Sequence, residues 1–455
     1  MTIINPATQE TIREIPEDSK EIIAEKFAEL KKGQPVWGAM PVQKRVAIIE
    51  KFYDLLDEEK DELAKTLTAE MGKPLQQSFN EINGARGRIK YFIDNAARYL
   101  TEEWVVKEGG TREKIVYEPL GVIANISSWN YPYLVGTNVF IPALIGGNAV
   151  LYKPSEYTLL TGLHIARLFY KAGVPQNVFQ LAAGAATVGE AILALPLDGY
   201  FFTGSYNTGK YIAEKTAHKL VPVQLELGGK DPLYIADDIE DIYGVAAGTA
   251  DGAFYNNGQS CCSVERIYVH EKVYDRYITA FVNEVKTYKT GSPTDDGVYI
   301  GPLTRPAQIK VLEHQVKDAI DKGATLLHGG KKIKGNYFEP TVLTGVTNQM
   351  AVMRDESFGP IIGIMKVKDD AEAVALMQDT EYGLTAGVYS KDFDRAENIM
   401  KQMNAGTVYW NCCDRVSASL PWSGRKNSGL GATLSHQGIY AFVQPKAYHL
   451  RGTID

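Results

Sequence analysis

Residues 120–152, LGVIANISSWNYPYLVGTNVFIPALIGGNAVLY, alternate between short and long apolar segments. The segment 120–127 predicts a strand, the longer one near 133–146 predicts a buried helix, and 148–152 predicts a second strand. This order is typical of a parallel βαβ unit, because parallel strands need a long crossover between them. The stretch therefore predicts an α/β fold.

The same alternation continues towards the C-terminus. Further predicted elements are strands at 178–181, 199–202 and 221–225, and helical segments near 158–172, 186–194 and 206–219. The crevice at the carboxyl ends of such strands is where a dinucleotide usually binds. A second alternating series, from about 230 to 425, predicts a second α/β domain.

On the N-terminal side, the sequence predicts helices followed by a hairpin. Apolar residues at helical spacing predict helices at 20–31 and 42–71. Residues 105–119 contain a turn at 108–111 and alternate after it, which predicts a β-hairpin. The tail from residue 440 is short, apolar and strand-like.

The composition argues against several classes of protein. The 455 residues allow two or three domains. A formal net charge of −7 argues against a nucleic acid or an anionic membrane surface as the main partner. The start has neither the basic flank nor the apolar core of a signal peptide. The apolar stretch 131–152 is broken by glycine, proline and asparagine, which does not suit a membrane span.

The cysteines and histidines predict neither disulfides nor a metal site. The four cysteines form two adjacent pairs, which is the wrong pattern for a disulfide framework. The seven histidines are scattered, and no CxxC, HxxxH or HExxH motif occurs. Free thiols in a reducing cytoplasm are the simplest interpretation.

A polar, glycine-containing loop, FYNNGQSCC at 254–262, carries one cysteine pair out of a helical segment. A catalytic thiol needs such a partly exposed and electropositive place, because the thiolate is the nucleophile. A buried structural cysteine explains the loop equally well. The adjacent pair also leaves open whether Cys261 or Cys262 would act.

Other candidate residues lie at the ends of predicted strands. Glu226 closes an apolar strand, where burial would raise its pKa and make it a usable general base, or it only caps the next turn. Gly204 and Ser205 suit a pyrophosphate-binding turn or a plain tight turn. Asn130 suits an oxyanion donor or a helix cap.

Taken in order, these segments resemble the NAD(P)-dependent aldehyde dehydrogenase superfamily. The resemblance covers essentially the whole chain, and chance agreement of so many ordered motifs is negligible. The motifs are EPLG at 118–121, SWNYP at 128–132, LYKPSE at 151–156, FTGS at 202–205, LELGGK at 225–230, GQSC at 258–261, ESFGP at 356–360 and PWSG at 421–424.

The resemblance implies a role for each matching residue. It selects Cys261 as the nucleophile, Glu226 as the base that activates water, and Asn130 as the oxyanion donor. It implies a thioester left by hydride transfer and hydrolysed to the carboxylic acid. The cofactor-binding residues that it implies are Ser128, Trp129, Lys153, Ser155, Glu156, Gly204, Ser205, Gly228, Glu356 and Phe358.

Glu156 predicts NAD as the cofactor, with NADP the less favoured alternative. Lys153 and Glu156 follow a predicted strand, where they would hold ribose hydroxyls, although an ordinary surface pair explains them too. A carboxylate beside the ribose repels a 2′-phosphate.

One departure from the family concerns Ser428–Gly431, where many relatives carry a second glutamate that relays protons. Its absence leaves hydrolysis to Glu226.

The implied architecture is an aldehyde dehydrogenase-like α/β fold with two Rossmann-type domains and a small β oligomerisation element. That element would bridge subunits in a homodimer or homotetramer. The predicted boundaries are 1–100 and 120–228 for the dinucleotide-binding domain, 229–428 for the catalytic domain, and 101–119 and 429–455 for the oligomerisation element.

The substrate prediction rests on aromatic residues. Semialdehyde enzymes of the superfamily often bring arginines to the substrate carboxylate from two positions where this chain has tyrosines. We therefore expect an uncharged aliphatic or aromatic aldehyde, with Arg415 as the remaining candidate for a carboxylate anchor. The aromatic residues, which are equally consistent with ordinary packing, are Tyr131, Tyr133, Tyr255, Trp410 and Trp422.

Three alternatives remain. A succinate-semialdehyde-type enzyme would need a carboxylate anchor. A CoA-acylating semialdehyde dehydrogenase would not need a water-activating base, so Glu226 argues against it. A non-catalytic dinucleotide-binding scaffold would not need Cys261 or Asn130.

Overall fold

The chain begins with a small hairpin followed by helices, in a computed structural model that describes residues 1–108 and 110–452. The first strands, β1 (Thr2–Ile4) and β2 (Thr11–Glu14), pair antiparallel. The helices that follow are α1 (Lys20–Gly38), α2 (Val42–Glu58), α3 (Lys60–Met71) and α4 (Leu75–Tyr99).

These helices differ from the prediction in three ways. The helix predicted at 20–31 continues to Gly38. The one predicted at 42–71 is two helices, because Glu59 leaves the helical conformation at φ −103° and ψ 10°. Helix α4 was not predicted, and the glycines at 84 and 87 explain why, since glycine has low helix propensity.

The predicted hairpin is confirmed. Strands β3 (Glu103–Val106) and β4 (Thr111–Pro119) pair antiparallel. The predicted turn includes Gly109, which lies outside the described residues.

The βαβ alternation predicted from residue 120 is also confirmed. Its strands are β5 (Val122–Ile126), β6 (Ala149–Lys153), β7 (Phe179–Leu181), β8 (Gly199–Thr203) and β9 (Val223–Glu226). Its helices are α5 (Pro132–Gly146), α6 (Leu159–Ala172), α7 (Ala186–Ala194) and α8 (Tyr206–Thr216). Neighbouring strands are parallel, and all of α5 except Leu134 is buried.

The second alternating series forms a second sheet with its own helices. The strands are β10 (Asp231–Ile235), β11 (Val264–His270), β12 (Thr325–His328), β13 (Thr341–Thr344), β14 (Ile361–Val367), β15 (Thr385–Tyr389) and β16 (Thr407–Trp410). The helices are α9 (Ile242–Phe254), α10 (Glu271–Val285), α11 (Pro306–Asp321), α12 (Ala351–Arg354), α13 (Asp370–Gln378) and α14 (Phe393–Met400).

The C-terminal segment contributes to two different sheets. Its elements are β17 (Gly429–Leu430), α15 (Ser435–Tyr440) and β18 (Val443–Arg451). Strand β17 pairs with β9, whereas β18 pairs with β4 of the hairpin. The predicted domain boundaries stay a prediction, and residues 453–455 of the predicted oligomerisation element lie outside the described residues.

Beyond the first hairpin, the described strands form three sheets. The first sheet has the order β17-β9-β8-β5-β6-β7, the second β12-β13-β14-β11-β10-β15-β16, and the third β18-β4-β3. Among the described helices, none combines the length and apolar character needed to cross a bilayer. The described residues also contain no cluster of three or more His, Cys, Asp or Glu able to bind a metal ion.

Candidate active site

Two cavities meet at Cys261. The larger, of about 650 Å³, is lined by α4, α5 and the loop that follows β16. The smaller, of about 260 Å³, lies at the carboxyl ends of the first-sheet strands. The residues that line both cavities are Thr203, Glu226, Cys261 and Trp422. A thiol and a carboxylate are therefore accessible from both sides.

The loop before Cys261 has an unusual backbone. Asn256, Asn257 and Gly258 are all left-handed, with φ of 55°, 59° and 68°. A Cβ on Gly258 would lie 2.2 Å from the carbonyl oxygen of Gly359, so only glycine fits there. Such conformations persist where the surroundings over-determine them, and they are typical of functional sites.

Buried amide side chains fix this loop. Asn257 donates to the Pro302 carbonyl at 2.9 Å and accepts from the Gly301 N–H at 2.7 Å. Asn256 donates to the carbonyl of Gln259 at 3.0 Å. Because Gly301 and Pro302 come from a distant part of the chain, they fix the position of the loop that carries the cysteine.

Asn130 is oriented by hydrogen bonds on both atoms of its amide. Its Oδ1 accepts from the Ser128 hydroxyl at 2.8 Å, and its Nδ2 donates to the Gln259 carbonyl at 3.1 Å. This leaves the second N–H of Nδ2 for another acceptor. Lys73, which forms a buried ion pair with Glu81, donates to the Asn130 carbonyl at 2.8 Å and fixes the turn from below.

Glu226 ends β9 with its side chain buried. Burial raises the pKa of its carboxyl to about 7, while a hydrogen bond from the Thr433 hydroxyl and the charge of Arg88 act in the opposite direction. A carboxyl with a pKa near neutrality can take up and release protons at physiological pH.

The two adjacent thiols have different environments. Cys261 is half-buried, whereas Cys262 is buried and donates to Asp414 Oδ1 at 3.0 Å. The hydrogen bond with Cys261, together with burial, raises the pKa of Cys262. Cys262 therefore stays protonated, and the geometry favours Cys261 as the reactive thiol of the pair.

The smaller cavity has the features of a dinucleotide cradle. The first turn of α8 carries no side-chain cap, so its N–H groups remain available for an anion. A Cβ on Gly228 would lie 2.4 Å from Glu356 Oε1, so the backbone must stay bare there. Phe358 packs edge-on against Trp129 with ring centroids 5.4 Å apart. Burial raises the pKa of Glu356 to about 8.

Comparison with known proteins agrees with this geometry. The profile described as "Aldehyde dehydrogenase family" matches residues 1–448. The chain belongs to the aldehyde dehydrogenase family. A curated relative, the succinate-semialdehyde dehydrogenase [NADP(+)] of Deinococcus radiodurans, is 34% identical over 446 residues, which span 97% of this chain and 93% of that protein.

Solved structures share the fold over nearly the whole chain. An NADP-dependent enzyme of E. coli superposes with a TM-score of 0.96 at 31% identity, covering 99% of this chain and 94% of that one. A betaine aldehyde dehydrogenase from Staphylococcus aureus, in complex with NAD+, gives 0.94 at 31% identity, with 99% and 92% covered. This aldehyde dehydrogenase is thus an oxidoreductase that acts on aldehydes with NAD or NADP as cofactor.

Most residues predicted for the site of the aldehyde dehydrogenase lie at the two cavities. Ser128, Trp129, Asn130, Gly204, Ser205, Gly228, Glu356 and Phe358 line the smaller cavity, and Tyr131, Tyr255, Arg415 and Trp422 line the larger. Lys153, Ser155 and Glu156 lie beyond the wall of the smaller cavity, at the end of β6, which pairs with β5.

Two aromatic residues predicted for the substrate tunnel do not reach it. Trp410 lies on strand β16, where its indole packs on Phe393 and donates to the Ser390 carbonyl at 2.9 Å. Tyr133 is in the core, 1% exposed, on the side of α5 that faces away from the cavity. Tyr131 precedes α5 in a non-helical conformation, with φ −143° and ψ 64°, whereas Tyr133 is part of the helix. The two side chains therefore do not share one direction, and only Tyr131 lines the cavity.

Three acidic or basic residues of the larger cavity were not predicted from the sequence. They are Arg88 on α4, Asp251 on α9 and Asp414 after β16. Arg88 donates to the Leu134 carbonyl at 3.2 Å and to Asn138 Oδ1 at 2.9 Å. No local pattern marks them, because each reaches the cavity only through the packing of its element.

Proposed function

We propose that this aldehyde dehydrogenase oxidises its aldehyde through a thioester on Cys261, with Glu226 activating the water that hydrolyses it. The observation that carries the proposal is the shared wall of the two cavities, which contains both residues. An aldehyde in the larger cavity and a nicotinamide in the smaller one would therefore meet at the same sulfur.

In the first half of the reaction, the Cys261 thiolate attacks the aldehyde carbon. The free N–H of Asn130 Nδ2 and the Cys261 backbone N–H stabilise the resulting oxyanion, and each such donor is typically worth about 3 kcal/mol. When bound, the nicotinamide ring supplies the acceptor for the hydride. Buried partners fix the loop that carries the sulfur, so little reorganisation is needed at the moment of attack.

In the second half, Glu226 takes a proton from water. The water oxygen bonds to the acyl carbon, the carbon–sulfur bond breaks, and Cys261 leaves as the thiolate. A base whose pKa is about 7 is largely ionised at slightly alkaline pH yet basic enough to accept this proton.

The test compares the two adjacent cysteines. Cys261→Ser should reduce nicotinamide-dependent oxidation to background in a folded protein, because the hydroxyl is a far weaker nucleophile. Cys262→Ser is the matched control. It keeps the Cys261 thiol, so the rate of aldehyde oxidation should change at most several-fold. Equal activity of Cys261→Ser and the unmodified enzyme would contradict the assignment.

The proposal includes a preference for NAD over NADP. Glu156 follows β6 and accepts from the Ser155 hydroxyl at 3.3 Å, so it adds a negative charge at the end of the strand predicted to bind the adenosine ribose. A carboxylate repels a 2′-phosphate. We expect kcat/KM to be higher with NAD, and Glu156→Gln to narrow the difference. Equal values for the unmodified enzyme would contradict this preference.

The substrate that the larger cavity supports best is an uncharged aliphatic or aromatic aldehyde. Tyr131, Tyr255 and Trp422 supply much of its apolar wall. A second candidate is an aldehyde with a distant carboxylate, because Arg88 faces the cavity with Nε and Nη2 free of hydrogen bonds to the described residues.

A panel of aldehydes distinguishes the two candidates. Hexanal, benzaldehyde and succinate semialdehyde would be compared by kcat/KM in the unmodified enzyme and in Arg88→Gln. The control is Arg86→Gln on the same helix, whose side chain bonds the Tyr53 carbonyl instead. Loss of activity on the semialdehyde alone in Arg88→Gln would favour the carboxylate-bearing substrate.

The proposal also includes assembly into homodimers or homotetramers. The three-stranded sheet has unpaired outer edges on β18 and β3 within the described residues, and Val105 on β3 is 58% exposed. Such an edge is a template for pairing with a second chain.

A cytoplasmic location is part of the same proposal, since free vicinal thiols persist in a reducing compartment.

A further inference from the structure

The carboxylate of Glu226 has one hydrogen-bond partner among the described side chains. The Thr433 hydroxyl donates to its Oε1, and both residues are buried, with 1% of Thr433 and 9% of Glu226 exposed. The other oxygen, Oε2, accepts no hydrogen bond from the described residues. One oxygen is thus held by the protein, and the other remains for water.

The backbone N–H and carbonyl of Thr433 are both hydrogen-bonded to another segment of backbone. Thr433 exchanges two hydrogen bonds with Trp422, of 2.7 and 2.8 Å, in an isolated antiparallel bridge. The same segment pairs directly with the strand of the base, where Gly429 lies opposite Glu226. The hydroxyl therefore belongs to a segment that also pairs with β9, and this pairing fixes its position relative to the Glu226 carboxylate.

We propose that Thr433 is a positioning residue for the base: its hydroxyl holds Oε1 of Glu226 and turns Oε2 towards the water that cleaves the thioester. This inference rests on the proposed role of Glu226. Thr433 gives up no proton and forms no bond to the substrate in this step. The proton of water goes to Oε2, the oxygen of water goes to the acyl carbon, and the sulfur of Cys261 leaves with the bonding electrons.

The hydrogen bond also affects the pH at which the base works. It stabilises the charged carboxylate and so opposes burial, which raises the pKa of Glu226. Arg88 on α4 acts in the same direction as Thr433. The other charged or titratable groups around the two cavities are Cys261, Cys262, Asp251, Asp414, Glu356, Arg305, Arg415, Tyr131 and Tyr255. Removing the hydroxyl leaves this set unchanged.

The test uses p-nitrophenyl acetate without cofactor, so that no hydride transfer occurs. The burst of nitrophenolate reports acylation of Cys261, and the steady rate after it reports hydrolysis. In Thr433→Val, which removes the hydroxyl at nearly constant volume, we expect the acid limb of the hydrolysis rate to move up by about one pH unit. At pH 6.5 the rate per active site should fall about fivefold or more, and at pH 9 less than twofold.

Thr433→Ser is the matched control, because it keeps the hydroxyl and should restore the original profile. Rates are divided by the burst amplitude, so that loss of folded protein does not imitate the effect. If the valine variant shows no burst, Thr433→Ala is used in its place, since it removes the hydroxyl without adding apolar bulk.

Glu226→Gln separates this inference from the proposed function. If Glu226→Gln stops hydrolysis while Thr433→Val keeps the original pH profile, Thr433 is not a positioning residue and the base assignment stands. If Glu226→Gln hydrolyses the acyl-enzyme at the normal rate, the assignment of the base itself is wrong. A uniform loss at all pH values in both the valine and serine variants would indicate a structural role only and would overturn the inference.

Discussion

At the residue scale, Cys261 and Cys262 show how one position along the chain changes a thiol. Cys262 is 6% exposed, bonds Asp414 and packs in the core, whereas Cys261 opens to both cavities. The hydrogen bond with Cys261 and burial raise the pKa of Cys262, and a protonated thiol is a poor nucleophile. The difference comes from surroundings that no local pattern describes.

Asn130→Ala should slow formation of the acyl-enzyme by 10²- to 10³-fold, or about 3 kcal/mol, because one oxyanion donor is lost. The loss should appear in kcat more than in KM, since the donor acts on charge that develops during the reaction. The measurement is the rate of nicotinamide reduction in a single turnover. Asn80→Ala is the control, because Asn80 lines the larger cavity, where its amide donates to the Tyr255 hydroxyl at 3.0 Å. Equal rates for the two variants would contradict the role of Asn130.

At the element scale, the left-handed loop at 256–258 aims the cysteine out of the helical segment. Gly258→Ala should destabilise the protein and slow alkylation of Cys261, because the new Cβ would lie 2.2 Å from the Gly359 oxygen. Gly297 has a similar φ of 71°, and a Cβ added there would have no heavy atom within 4 Å. Gly297→Ala therefore measures only the free-energy cost of placing alanine in the left-handed conformation, about 1 kcal/mol. Calorimetry and iodoacetamide labelling would check both variants, and equal effects would exclude the clash as the cause.

Another prediction at this scale concerns Asp231, which joins β10 to β15. It accepts from the Thr385 N–H at 3.1 Å and hydroxyl at 2.6 Å, and burial raises its pKa to about 8. In the unfolded chain its pKa is about 4, so the folded state binds more protons between these values. Its contribution to stability is therefore complete below about pH 4 and is lost as pH rises through 8.

Asp231→Asn removes this titration. The variant should gain stability relative to the unmodified protein as pH rises from 5 to 8, and calorimetric midpoints at the two pH values would measure the gain. Glu25→Gln, at an exposed position of α1, is the control and should leave the pH dependence unchanged. If the difference in calorimetric midpoint between Asp231→Asn and the unmodified protein stays constant with pH, Asp231 is not the source of this pH dependence.

At the scale of the whole molecule, the third sheet has the features of an assembly surface. Val105→Asp, at an exposed apolar position of β3, should reduce the mass of the assembly, because charge on an edge strand opposes pairing. Leu220→Asp is the control, since Leu220 is 93% exposed on a different part of the surface. Light scattering after size exclusion would measure the mass of both variants. An unchanged mass for Val105→Asp would contradict the role of the third sheet in assembly.

The order of strands and helices from residue 120 onward was predictable because it depends on local patterns. Each of the five parallel strands of the first sheet, β5 to β9, begins and ends within two residues of its predicted position, since a run of apolar residues reports burial directly. The N-terminal helices were less predictable. The break at Glu59 and the glycine-containing helix α4 carry no strong local signal.

The sequence by itself determined the α/β class, the two series of strands and the family motifs, including the segments that carry Cys261, Glu226 and Asn130. These are properties of residues close together in the chain, where periodicity and turn chemistry are visible. Tertiary structure alone decided the partners: the Glu226–Thr433 bond spans 207 positions and the Cys262–Asp414 bond 152. Such contacts depend on how distant elements pack, and packing is non-local, so no window of sequence contains it.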